Sequence, residues 1–359
     1  MLTQIEEKII QYAKNPADGL KIAVIGGGTG LSTLLRGLKL YSNHLAAIVT
    51  VADNGGSSGM LREDLGILPP GDIRNCILAL ADTEPLMNDL LNFRFHDGRL
   101  KGQNFGNLLI AAMNGISGNF CDAVRNVSKV LAVKGRVLPV SLQNIQIGAR
   151  LADRTVIQGE SAIGHRYATP DNEIAELFME PADATALPEA VEALKAADVI
   201  VIGPGSLYTS IIPNLLFADI CQAIALSRAP RIYVCNIMTQ PAETMGYDAA
   251  RHLAALLKHA QRQTARGFVD YCIVNNAWID RQLINRYQLE SAVPVLAERG
   301  SVEILGTKMV EAPLACVNNG AIRHDHTILA RSVLSLALNH LNCADKPAAR
   351  SKKAYGSAV

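Results

Sequence analysis

"KIAVIGGGTGLSTLLRGLKLY", Lys21 to Tyr41, joins a short apolar run, a glycine-rich turn and a leucine pattern. Ile22 to Ile25 read as a buried strand, and Leu31, Leu34, Leu35 and Leu38 recur at helical spacing. A strand that turns through glycines into an amphipathic helix opens a βα unit, and such units build parallel sheets. The glycines let backbone N–H groups at the helix start approach a phosphate closely. The spacing is not the dinucleotide fingerprint: GxGxxG counted from Gly26 ends on Leu31, and counted from Gly28 on Thr33. No Lys follows the glycines, so it is not a Walker A loop either. A phosphate cradle at Gly27, Gly28, Thr29 and Gly30 and a tight structural turn both stay open.

The same design recurs along the chain. "LAAIVTVADN" is a second strand, running into Asp53, Asn54, Gly55, Gly56 and Ser57. Asp53 stands 23 positions after Gly30, where a doubly wound nucleotide site places an acid on a ribose. The alternative is that Asp53 and Asn54 cap a turn. Arg62 follows closely and fits either an anion or open solvent. A third strand, "ADVIVIGPG", ends at Gly205 and Ser206. A fourth ends in "CNIMTQPAET" and a fifth in "VNN". Carboxyl ends of parallel strands share one sheet edge, and that edge binds ligands in open α/β folds. Five polar, glycine-rich strand ends on one edge predict a phosphorylated ligand there.

Helices are expected over Gln4 to Tyr12, over "DIRNCILALAD" with Asp72 as N-cap, and over 280–290 and 327–341, with a strand near 303–310. From about residue 136 the alternation of strand and helix gives way to short strands and tight turns. The fold expected is therefore α/β, a Rossmann-like, doubly wound, mostly parallel sheet with an inserted antiparallel β section. Residues 1–20 form an N-terminal helical extension, 21–343 the main domain with its insertion at about 136–180, and 344–359 a disordered basic tail.

Composition narrows the function. A formal net charge of +1 over 359 residues gives no global field for nucleic acid or anionic membrane. No run of eighteen apolar residues suggests membrane insertion. Seven scattered cysteines without a CxxC pair, and a charged N-terminus without a long apolar core, suit a cytoplasmic protein. HExxH, zinc spacing and the GxSxG elbow are missing, so no catalytic residue and no metal ligand is assigned.

Taken together, "GGGTGLSTLLRGLK", "VTVADNGGSSGMLRED", "PPGDIRNC", "GPGSLYTSIIPNLL", "YVCNIMTQPAET" and "IRHD" resemble the YvcK family from about residue 21 to 341. These proteins are known as gluconeogenesis factors or UDP-N-acetylglucosamine-binding proteins, in the 2-phospho-L-lactate transferase (CofD-like) superfamily. The resemblance implies a cytoplasmic protein that binds a UDP-sugar and regulates cell envelope synthesis or cell shape, notably during gluconeogenic growth. It implies no required cofactor and leaves Mg2+ undecided. A homo-oligomer and protein partners in envelope synthesis are compatible with it. Tyr287 and Arg323 match positions that look like ligand contacts in the family, and their chemistry agrees. A ring needs a flat apolar partner and a diphosphate a forked donor. The alternative is a transferase acting on a nucleotide-linked phosphate donor. Asn54 stands where the transferase branch has a second acid, and Pro204-Gly205-Ser206-Leu207 where it has a Pro-Ser-Asn loop. Both departures weigh against 2-phospho-L-lactate transfer.

Overall fold

The computed structural model describes residues 3–260 and 267–344. Its centre is a seven-stranded sheet: β1 (Ile22–Gly26), β2 (Leu45–Val49), β3 (Arg136–Pro139), β7 (Val199–Ile202), β8 (Arg231–Val234), β9 (Tyr271–Asn275) and β10 (Lys308–Ala312). The order is β10-β9-β8-β7-β1-β2-β3, and every neighbouring pair is parallel. β1, β2 and β7 are buried along their whole length. Their unbroken apolar runs are what a sheet covered by helices on both faces requires. Helix Gly28–Leu38 lies between helices Gly71–Leu80 and His326–Ala344.

The inserted section is a three-stranded antiparallel sheet of order β5-β4-β6, from β4 (Gln146–Leu151), β5 (Val156–Gln158) and β6 (Ile174–Glu180). It starts ten residues later than expected. Arg136–Pro139 pairs with β2 in parallel, Val137 against Ala47 and Leu138 against Ile48, so it completes the βα series as an edge strand. The expected strand near 303–310 is helix Arg299–Glu303 followed by β10. A hairpin absent from the expectations, β11 (Ala315–Asn318) with β12 (Ala321–His324), precedes the last helix. The N-terminal helix, Gln4–Lys14, buries Ile9 and Tyr12 and packs on His326–Ala344. The tail 345–359 lies outside the described residues.

Among the described residues no single helix is long and apolar enough to cross a membrane. Helices Leu207–Leu215 and Ala218–Leu226 have the combined length, but they meet at 77°, and the first is buried throughout.

Candidate functional site

Strand order reverses between β1 and β7. From β1 the chain moves outward to β2, and from β7 it moves the other way to β8. The loops after these two strands therefore diverge and leave a crevice. The first is Gly27–Gly30 and the second Gly203–Ser206. They touch: a Cβ on Gly30 would sit 2.7 Å from the Pro204 carbonyl oxygen. A cavity of about 280 Å3 opens at this point. A larger groove of about 790 Å3 lies between helices Pro188–Lys195 and Ala218–Leu226, where no glycine loop converges.

Eight of the sequence-predicted residues line the crevice: Gly27, Gly28, Thr29, Gly30, Gly205, Ser206, Tyr287 and Arg323. Gly28 has φ +66° at the head of its helix. The Ser206 hydroxyl accepts a hydrogen bond from Gln240 Nε2 at 2.7 Å. Tyr287 is half-buried, and its hydroxyl accepts from the Ile322 N–H at 2.8 Å. Removing that hydroxyl leaves the β12 amide unpaired, so Tyr287→Phe is not as mild as stacking alone would suggest. Arg323 is exposed and makes no ion pair among the described residues; it donates only to the Ile322 carbonyl oxygen, at 3.0 Å.

The loop after β2 does not line this cavity but flanks it, with Asp53 near Asp72. One Asp53 oxygen accepts from the Gly55 N–H at 2.9 Å, the local turn named as the alternative for this residue. Asn54 Oδ1 accepts from the Ser161 N–H at 2.8 Å and so ties the loop to the insertion. Gly55 and Gly56 lead into helix Gly56–Leu65. The Ser57 hydroxyl is buried in a network with Gln103, the Asn104 N–H and Asn107. Arg62 donates through Nη2 to Asn144 Oδ1 and the Ile145 carbonyl, and so clamps the chain ahead of β4.

Asp72 is not an N-cap. Its helix starts at Gly71, with no side-chain cap. The carboxylate instead reaches the glycine loop near the Gly28 N–H, and a Cβ on Gly27 would lie 2.5 Å from Asp72 Oδ2. An internal carboxylate thus occupies part of the expected phosphate cradle. Burial, and then the nearby Asp53, push the Asp72 carboxyl up to about 7. Glu160 is pushed up to about 8 by burial, Asp53 and Asp72. Sequence reasoning missed Glu160, because an acid at the head of a short inserted helix carries no local signal. His324, for which the sequence leaves both a place near a site and an ordinary core or surface role open, lines the crevice and is held down at about 4 by burial. Among the described residues no group of three or more His, Cys, Asp or Glu side chains is arranged to hold a metal.

These shifts have a signed consequence. Each acid keeps its proton in the folded chain to a higher pH than in the unfolded chain. Stability therefore falls as pH rises from the ordinary carboxylate range toward about 7 for Asp72 and about 8 for Glu160. Asp72→Asn keeps an acceptor for the Gly28 N–H and removes the titration. It should raise the melting temperature at pH 8 by about 1.3 °C per kcal/mol gained, with a smaller change at pH 5. Melting curves of both proteins across pH check this, and equal displacement at all pH values would contradict it.

Fold and crevice define the class: open, doubly wound α/β proteins with a glycine-lined cleft at the topological switch point. The model of the 2-phospho-L-lactate transferase CofD family matches residues 22–315. A protein from Thermoanaerobacterium thermosulfurigenes is 53% identical over 319 residues, 89% of this chain and 97% of its own length. The gluconeogenesis factor of Bacillus subtilis is 44% identical over 320 residues, 88% of this chain and 98% of its own. The crystal structure of a UPF0052-family protein from Bacillus halodurans superposes with a TM-score of 0.82 at 42% identity, covering 88% of this chain and 99% of that one. The chain belongs to the CofD family, in its YvcK (UPF0052, gluconeogenesis factor) branch.

Proposed function

We propose that this chain binds a UDP-sugar, UDP-N-acetylglucosamine in the first instance, in the switch-point crevice. In this reading it acts as a ligand-binding regulator of cell envelope synthesis or cell shape during gluconeogenic growth, as a cytoplasmic protein. The observation that carries the ligand is the convergence of Gly27–Gly30, Gly205, Ser206, Tyr287 and Arg323 on one cavity. The crevice offers helix-start amides on one side and an arginine without an ion-pair partner among the described residues on the other. That combination suits a diphosphate. The gluconeogenic part of this role is supported by the name that its Bacillus subtilis relative carries; the envelope and cell-shape part follows only from the resemblance to the YvcK family.

A second reading is favoured by one observation. Asp72, near neutrality at about 7, borders Gly27 and Gly28, and a group titrating near the working pH is suited to general acid–base work. That would be a transferase using a nucleotide-linked phosphate donor. Calorimetric titration with UDP-N-acetylglucosamine, with and without EDTA, separates the two. Affinity should survive the chelator, because amides and Arg323 supply the charge balance. A loss of more than about tenfold, or roughly 1.4 kcal/mol, would favour a metal-dependent transferase.

A further inference from the structure

A nucleotide sugar carries a base, two sugar rings and a diphosphate. Sites for ligands of drug-like size run from about 300 to 1,000 Å3, so a crevice of about 280 Å3 holds only part of such a molecule. The ligand proposed above must therefore extend along the sheet edge in one direction or both. Toward β2 it meets Asp53, Asp72 and Glu160, an acidic flank in which burial first, and then the neighbouring carboxyl groups, push Asp72 and Glu160 up. Toward β9 it meets a second cavity, of about 550 Å3, that shares Ile237 with the first.

The second cavity has the chemistry of a flat, hydrogen-bonding ring. Trp278, the chain's single tryptophan, lines it and is 80% exposed. Isolated exposed apolar residues are common on protein surfaces; a tryptophan on the wall of a cavity next to a ligand crevice is a different case. Asn276, Arg281, Asn285 and Gln288 line the same cavity. Arg281 makes no ion pair among the described residues. Asn275 is committed elsewhere, to the Ala277 backbone and the Ala315 N–H. Helix Arg281–Leu289 joins the two cavities. Residues 281, 284, 285 and 288 share one helical face on the second cavity, and Tyr287 of the same helix stands on the first.

We infer that this second cavity is the nucleobase subsite: the base stacks on Trp278, and the side-chain amides of Asn276, Asn285 and Gln288 supply donors and acceptors for its edge. The diphosphate then spans the crevice beside Tyr287 and Arg323. The sugar, a neutral ring of hydroxyls, points to the acidic flank, whose carboxyl groups can exchange hydrogen bonds with hydroxyls. The inference rests on the UDP-sugar reading.

Because the chain has one tryptophan, its emission reports on the subsite directly. UDP and UDP-N-acetylglucosamine should change that emission on binding, whereas N-acetylglucosamine 1-phosphate should not. In calorimetry, Trp278→Ala should weaken UDP-N-acetylglucosamine binding about ten- to a hundredfold, as lost base–aromatic stacking does, and Trp278→Phe should recover most of that loss. Full-affinity binding with unchanged emission, and a Trp278→Ala variant that binds like the parent, would overturn the subsite while leaving the UDP-sugar reading intact. An emission change of equal size with N-acetylglucosamine 1-phosphate would overturn the placement of the base. No binding of UDP-N-acetylglucosamine by the parent protein would overturn both.

Discussion

Arg323→Ala is expected to weaken UDP-N-acetylglucosamine binding about ten- to a hundredfold, the loss of one charge-assisted hydrogen bond of roughly 1.5–3 kcal/mol. The guanidinium is exposed and holds only the neighbouring Ile322 carbonyl, so the melting temperature of the free protein should hardly move. Arg323→Lys should recover little, since a point charge does not reproduce the fork that grips two phosphate oxygens. Tyr287→Ala should also reduce affinity, but with a stability cost, because the Ile322 N–H loses its partner. The contrast between the two variants is the informative part. Melting curves establish the stability cost, and calorimetry the affinity. Arg323→Ala and Tyr287→Ala proteins that both bind like the parent would remove the hairpin and helix Arg281–Leu289 from the site.

Gly28→Val should reduce binding by more than about a hundredfold, beyond ordinary calorimetric range, while the circular dichroism of the protein stays that of the parent. At φ +66° a side chain costs roughly 1–2 kcal/mol, and β-branching adds to it. In a chain of 359 residues that is a fall in melting temperature of about 1.3 °C per kcal/mol, short of unfolding. The new Cβ would point toward Ser210 Oγ, 3.5 Å away, inside the crevice where a phosphate is expected. Binding lost with the fold kept supports a cradle. A protein that no longer folds would mean that Gly28 serves only the turn.

Lys21 to Tyr41 made the sheet legible, because period, glycine turn and burial are all local there. The five strand ends were legible for the same reason, and β1, β2, β7, β8 and β9 do share one edge. What failed depended on distant partners. Arg136–Pro139 is too short to reveal, without β2 beside it, that it belongs to the main sheet. Asp72 follows Pro69-Pro70-Gly71 in a pattern that favours capping, yet its carboxylate reaches across to Gly28. Ser57 has the look of a phosphate-loop hydroxyl, but Gln103 and Asn107, 46 and 50 positions away, claim it. Arg323 is legible only through its chemistry and the family resemblance; the hairpin that carries it is short, with exposed Val317, and has little periodicity to detect. Glu160 has no neighbours in sequence to suggest a site, and Trp278, two residues past the "VNN" strand end, gains its meaning only from a cavity assembled in three dimensions.

Calorimetric titration of the intact protein with UDP-N-acetylglucosamine, beside NAD and GTP, tests the central claim most directly. A single saturable site for the UDP-sugar and no heat of binding for NAD or GTP is the result expected. Ligand at one hundred times its dissociation constant should then add roughly 2.7 kcal/mol of stability. Saturable binding of NAD or GTP, with none of UDP-N-acetylglucosamine, would contradict the account.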